Sequence, residues 1–204
     1  MEPIENPYPM TPALRNIALA DMYSAYRDSM PRLADESLAL EVKRDILELL
    51  STSELIDFAT RCPSGWPATH CMHFCTVEAP DLRPIVYLST KQHTRKVRNV
   101  RADPRVSLAA YRGHGFEGRR KTRATQLQAV CTVIEDGEEF EFALDRMRAK
   151  AGYDFTSLLD LEGQAMLRAE PVFALWQDNS RRPQRVTVDY RSTLTAQDGP
   201  GRTK

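Results

Sequence analysis

Hydrophobic and polar positions along the chain change period near residue 55. Before it, apolar residues recur at helical spacing. Leu38, Val42, Ile46, Leu49 and Leu50 form a stripe, with Glu41, Lys43, Arg44 and Glu48 on the other side. This predicts a helix over 38–50, capped by Asp35 or Ser37. An earlier helix is predicted over 12–30. It starts at Thr11-Pro12 and carries Leu14, Ile17, Met22, Ala25 and Tyr26. After residue 55 come short runs rich in β-branched and aromatic residues, bounded by turn signals. They predict strands over 55–60, 68–77, 84–90, 105–112, 124–136, 172–177 and 184–190. Between them, 92–102 has only a thin helical face (Thr94, Val97, Val100), stopped by Asp103-Pro104. A helix through Phe140, Ala143, Leu144 and Met147 is predicted, and another over 157–169. Closely spaced consecutive strands without regular strand–helix alternation predict a mainly β fold, an antiparallel barrel with peripheral helices. The expected organisation is an arm and helix over 1–37, a barrel domain over 38–192 and a disordered tail over 193–204.

Charge sharpens the picture. The 204 residues have a formal net charge of +0. Yet YLSTKQHTRKVRNVRADPRVSLAAYR, residues 87–112, holds Lys91, Arg95, Lys96, Arg98, Arg101, Arg105 and Arg112 against one acid, Asp103. Such a run is a solvated helix face, a nucleic-acid patch or a phosphate site. The neutral balance speaks against nucleic acid. For a phosphomonoester the chemistry is present. Ser89 and Thr90 end a strand with hydroxyls, a helix start supplies N–H groups, and Lys91, Arg95 and Lys96 add charge within two turns.

The order of residues in this segment resembles the FMN-binding split-barrel family typified by pyridoxamine 5'-phosphate oxidase. The matching positions are Thr90, Thr94, Lys96, Asn99, Val100, Asp103, Pro104, Arg105, Val106, Ser107 and Leu108. The Gly65-Trp66-Pro67 turn and the VCTVIED strand agree in order, and the resemblance runs from about residue 42 to 190. It implies an FMN-binding split barrel and a homodimer with the cofactor in its interface. It also implies FMN contacts from Ser89, Thr90 and Thr94, a phosphate clamp of Arg95 and Lys96, a flavin-lining strand over 70–75, and ring contact from Gln126. The basic loop at Arg119, Arg120, Lys121 and Arg123 would approach the cofactor or substrate of the partner subunit. The chain departs from the oxidase itself. His70 and Cys75 stand where the oxidase has an Arg and a Lys, and no Arg-x-His motif follows Trp176. This argues against vitamin B6 oxidation. A deazaflavin coenzyme and haem are alternatives that the resemblance leaves open.

Other constellations change less. Cys71, His73 and Cys75 alternate onto one strand face, but no second cluster completes a metal site, so no metal is expected. His73 is a candidate haem ligand. Cys62, in a turn, reads as a surface thiol, and Trp66 and Trp176 as core or cofactor-rim aromatics. The cysteines at 62, 71, 75 and 131 form no CxxC pair and no disulfide framework. No apolar run is long enough for a membrane span, and MEPIENPYPM lacks the pattern of a signal peptide. A cytoplasmic protein with neither membrane nor nucleic-acid partners is expected. The expected function is an FMN-dependent oxidoreductase, oxidase or reductase, acting on a small organic molecule. His70 and His73 are its candidate catalytic residues. The alternatives are a haem- or flavin-binding protein for storage, sensing or haem degradation, and a deazaflavin-dependent reductase.

Overall fold

The computed structural model describes residues 6–19, 36–113, 116–152 and 163–191. Seven strands form one antiparallel sheet: β1 (Leu55–Arg61), β2 (Pro67–Glu78), β3 (Pro84–Lys91), β4 (Arg105–Arg112), β5 (Arg123–Ile134), β6 (Gln164–Asp178) and β7 (Arg185–Asp189). Their order is β3-β2-β1-β4-β5-β6-β7, and a β3–β6 pairing closes the first six into a barrel. The inward residues are those that strand alternation places together: Phe58, Met72, Phe74, Leu88, Leu108, Leu127 and Leu167 share one buried core.

Among the described residues, four α-helices surround the barrel: α1 (Pro12–Leu19), α2 (Glu36–Thr52), α3 (Arg95–Ala102) and α4 (Glu138–Ala151). Thr11 caps α1 by accepting from the Leu14 N–H at 3.4 Å. Met10, Leu14 and Ile17 pack against Val130, Val172 and Phe173 of β5 and β6, so this part of the first helix extends the apolar packing outside the barrel. The rest of the predicted 12–30 helix lies mostly outside the described residues, as does the tail from 192. Helix α2 buries Val42, Ile46, Leu49 and Leu50 in the barrel core. Helix α4 lays Phe140, Ala143, Leu144 and Met147 over Cys75, Val77, Ile85 and Tyr87, which face away from that core. No described helix is long and apolar enough to cross a membrane.

One element differs from expectation. Residues 164–169, expected in a helix, begin the long strand β6. Two features hid it. The strand pairs with β3 and β5 and is buried on both faces, so period-2 alternation is lost. Pro171 also reads as a boundary, but it sits at a bulge. Gln128 pairs with Phe173 while Ala129 pairs with Pro171, leaving Val172 as the extra residue. The glycine-rich loop likewise contains a short 3-10 helix, Phe116–Lys121.

Strand β6 also carries a buried ion cluster. Arg168 bonds Glu170 at 2.7 Å and approaches Glu139 at 3.4 Å, and Arg83 lies 3.8 Å from Glu170. Arg168 also donates to the carbonyls of Tyr8 and Pro9, docking the N-terminal arm. Removing one charge from such a cluster strands the others in low dielectric. Glu170→Ala is therefore expected to cost about 3–5 kcal/mol. Urea denaturation checks this, and an unchanged midpoint would contradict it.

Candidate functional site

Strand β2 changes partner midway. Residues 67–73 pair with β1, whereas Phe74–Glu78 pair with β3, in a register that ends at Phe74↔Leu88. Beyond that point β3 continues beside β6, pairing Ser89, Thr90 and Lys91 with Met166, Ala165 and Gln164. The barrel is therefore split between the first half of β2 and the end of β3. The turn after β3 and the start of α3 stand at this split. The turn is anchored to the start of β6, because the Gln92 N–H donates to Gly163 at 2.8 Å and Gln92 Nε2 to the Gln164 carbonyl at 3.1 Å. Val97 and Val100 hold α3 down by entering the core. Asn99, 2% exposed, fixes it by donating from Nδ2 to Thr60 Oγ1 at 2.9 Å. In the sequence Asn99 stood out only as a position that matches the family pattern.

The side chains at the split form a connected set. Lys96 Nζ donates to Thr90 Oγ1 at 3.2 Å. Thr94 Oγ1 donates to the Lys91 carbonyl at 2.8 Å and lies 3.3 Å from Thr90 Oγ1. The Thr94 proton is thereby committed, so the Thr90 hydroxyl donates to Thr94 and accepts from Lys96. His70 projects from β2 toward α3, and its buried Nε2 has no hydrogen-bond partner. Burial, then the charges of Lys96 and Arg95, hold the imidazole below its ordinary range. Burial, then Arg95, lower Lys96 as well. The first-turn N–H groups of α3 have no acceptors within the helix.

The seven cations of the basic segment are not equivalent. Arg105 is held by Asp103 at 2.5 Å, Arg101 by Glu135 at 2.8 Å, and Arg112 donates to Thr52. Among the described residues no carboxylate pairs with Arg95 or Lys96, the two that stand beside His70. Two uncompensated cations, an unpartnered buried imidazole nitrogen and a helix start converge there. This arrangement attracts an anion.

The remaining candidates lie apart from this set. Ser89 alternates to the opposite face of β3 from Thr90. His73 is exposed on the opposite face of β2 from His70. Gln126 is exposed on β5 and shares a register row with Ala109, Asp57 and Cys71. Three strand spacings, about 14 Å, separate it from β2 within one protomer. Cys71 is exposed but Cys75 is buried beneath α4, where burial pushes its thiol up to about 12. Among the described residues no group of three or more His, Cys, Asp or Glu could hold a metal ion. A separate open pocket of about 300 Å³ lies between β1 and β4, lined by Arg61, Asp103, Arg105 and Ser107 among others. Its two arginines are both engaged by Asp103.

The family model for pyridoxamine 5'-phosphate oxidase matches residues 42–177. No curated protein sequence matches the chain. Solved structures that share its fold include three with low sequence identity. Conserved hypothetical protein Rv2991 from Mycobacterium tuberculosis is 20% identical with a TM-score of 0.53, over 79% of this chain and 90% of that one. A heme binding protein from Mycobacterium smegmatis is 14% identical with a TM-score of 0.59, over 76% of this chain, which spans 60% of that protein. Campylobacter jejuni ChuZ is 12% identical with a TM-score of 0.60, over 79% and 71%.

Asp103, in the pocket between β1 and β4, gives a pH test of the ion pairs that tie down Arg105. Its hydrogen bonds to Arg105, foremost among the causes, hold its carboxyl below the usual range. A depressed folded-state value stabilises above the unfolded carboxylate pKa, and that stability is lost as pH falls through the folded value. Asp103→Asn is expected to cost about 1 kcal/mol at pH 7, reflecting the exposure of Arg105. Urea midpoints should converge with wild type in acid, once the pH has fallen through the depressed folded-state value. A gap that persists there would contradict the assignment.

Proposed function

The chain belongs to the pyridoxamine 5'-phosphate oxidase family, and we propose that it is a flavin-dependent oxidoreductase acting on a small organic molecule, with the FMN phosphate at the split between β2 and β3. The observation that carries this reading is the convergence of Arg95 and Lys96, without carboxylate partners among the described residues, on the unpartnered Nε2 of His70. A phosphomonoester fits this donor set, because its oxygens only accept and its charge is supplied with counter-charge. Arg95 offers the guanidinium fork and Lys96 a point charge. Thr90 and Thr94 shape the edge, and the first-turn N–H groups of α3 face the same region. Bound there, the flavin would supply hydride or electron transfer at its ring, while the chain provides position and polarity.

The ring would leave the clamp for the outer barrel face, where Cys71, Asp57, Ala109 and Gln126 form one row across four strands. Gln126 lies too far from the clamp to meet the phosphate in its own protomer. Its proposed part is at the ring, in a homodimer whose interface covers this face. Ser89 is proposed as a neighbour of the cofactor rather than as a phosphate ligand. The departures at His70 and Cys75 and the missing Arg-x-His motif keep vitamin B6 oxidation outside the proposal. If haem were the ligand, exposed His73 would be the candidate iron ligand. A Soret band in the purified protein would favour that reading over the flavin.

Comparing FMN with riboflavin tests the phosphate directly, since the two differ only there. The double substitution Arg95→Ala, Lys96→Ala is expected to weaken FMN on the order of 100-fold, two charge-assisted bonds being lost. Riboflavin affinity should stay unchanged. Undiminished FMN affinity, read by flavin fluorescence quenching, would overturn the placement.

A further inference from the structure

His70 is placed oddly for a histidine that only packs. Its strand neighbours of the same parity, Met72 and Phe74, are core residues, and its register partner on β1 is Phe58. The charged groups that reach it are Lys96 and Arg95, both on α3 and both cationic. Asp57, the nearest acid by register, projects from the opposite face of β1. The imidazole is therefore pressed toward its neutral form by two like charges and by burial, while Nε2 faces the split with nothing to bond.

A dianion in the split reverses that balance. Its charge offsets Lys96 and Arg95 and presents acceptor oxygens to Nε2. A neutral imidazole has one N–H, so it donates to a phosphate oxygen only in the tautomer that carries the proton at Nε2, and it brings no charge to the dianion. The imidazolium has two donors. We infer that His70 is a proton-coupled ligand of the cofactor phosphate, neutral in the free clamp and protonated when the phosphate is bound. One proton passes from solvent to the imidazole as the phosphate enters and returns when it leaves, and no covalent bond is formed or broken. The inference rests on the phosphate reading above and adds its regulation: affinity for the phosphorylated ligand falls as pH rises.

Calorimetry at pH 7.5 in two buffers of different ionisation enthalpy counts the protons taken up with FMN. At that pH the free phosphate, with a second pKa of about 6, is already mostly dianionic. Wild type is expected to take up close to one proton per FMN, and to lose up to about tenfold in affinity per pH unit above neutrality. His70→Gln should take up almost none. His70→Arg, with a permanent cation, should bind FMN with nearly the same affinity from pH 6.5 to 8.5. Equal proton uptake by His70→Gln and wild type would overturn the role of His70, as would FMN binding to wild type without uptake. In both cases the phosphate reading would stand. Failure of wild type to bind FMN at any pH would remove the phosphate reading itself, and this inference with it.

Discussion

A strand can pair with only one neighbour along each edge, and β2 divides its length between β1, along residues 67–73, and β3, along Phe74–Glu78. Where its pairing with β3 ends at Phe74↔Leu88, β3 carries on beside β6. The barrel must then open between the first half of β2 and the end of β3. The start of helix α3 stands at that opening, and the helix is held by Val97 and Val100 in the core and by the Asn99–Thr60 hydrogen bond. The fold thus delivers a helix start to a gap in a sheet. Everything proposed for this protein follows from what stands at that junction.

Electrostatics then separates structure from function within one basic segment. Arg101 and Arg105 each meet an acid and tie α3 and β4 in place. Arg95 and Lys96 meet none among the described residues. Leaving positive charge uncompensated beside a buried imidazole costs stability, and that cost is recovered when an anion arrives. The adjoining pocket between β1 and β4 shows the contrast: it is open and bears two arginines, but Asp103 already engages both.

Much of the fold could be read from the chain. Short β-branched and aromatic runs bounded by turns located β1 to β5, and the stripe of α2 survives as four buried residues. Strand β6 could not be read this way, because burial on both faces erases alternation and Pro171 occupies a bulge. In the site, Thr90, Arg95 and Lys96 were legible because one local segment contains them. Period 2 alone would have separated Ser89 from Thr90 and His70 from His73. The sorting of the cations was not legible, since Glu135 lies 34 residues from Arg101. Nor was the approach of His70 to Lys96, which depends on where β2 stops pairing with β3.

The central claim is that the split holds a phosphate. The most direct measurement maps backbone amide shifts in a ¹H–¹⁵N TROSY spectrum on adding FMN, and again on adding riboflavin. The shifts specific to FMN are expected to cluster at His70, Thr90, Thr94, Arg95, Lys96 and Val97. Phosphate-specific shifts centred instead on Arg61, Arg105 and Ser107 would place the anion in the other pocket and overturn the phosphate clamp.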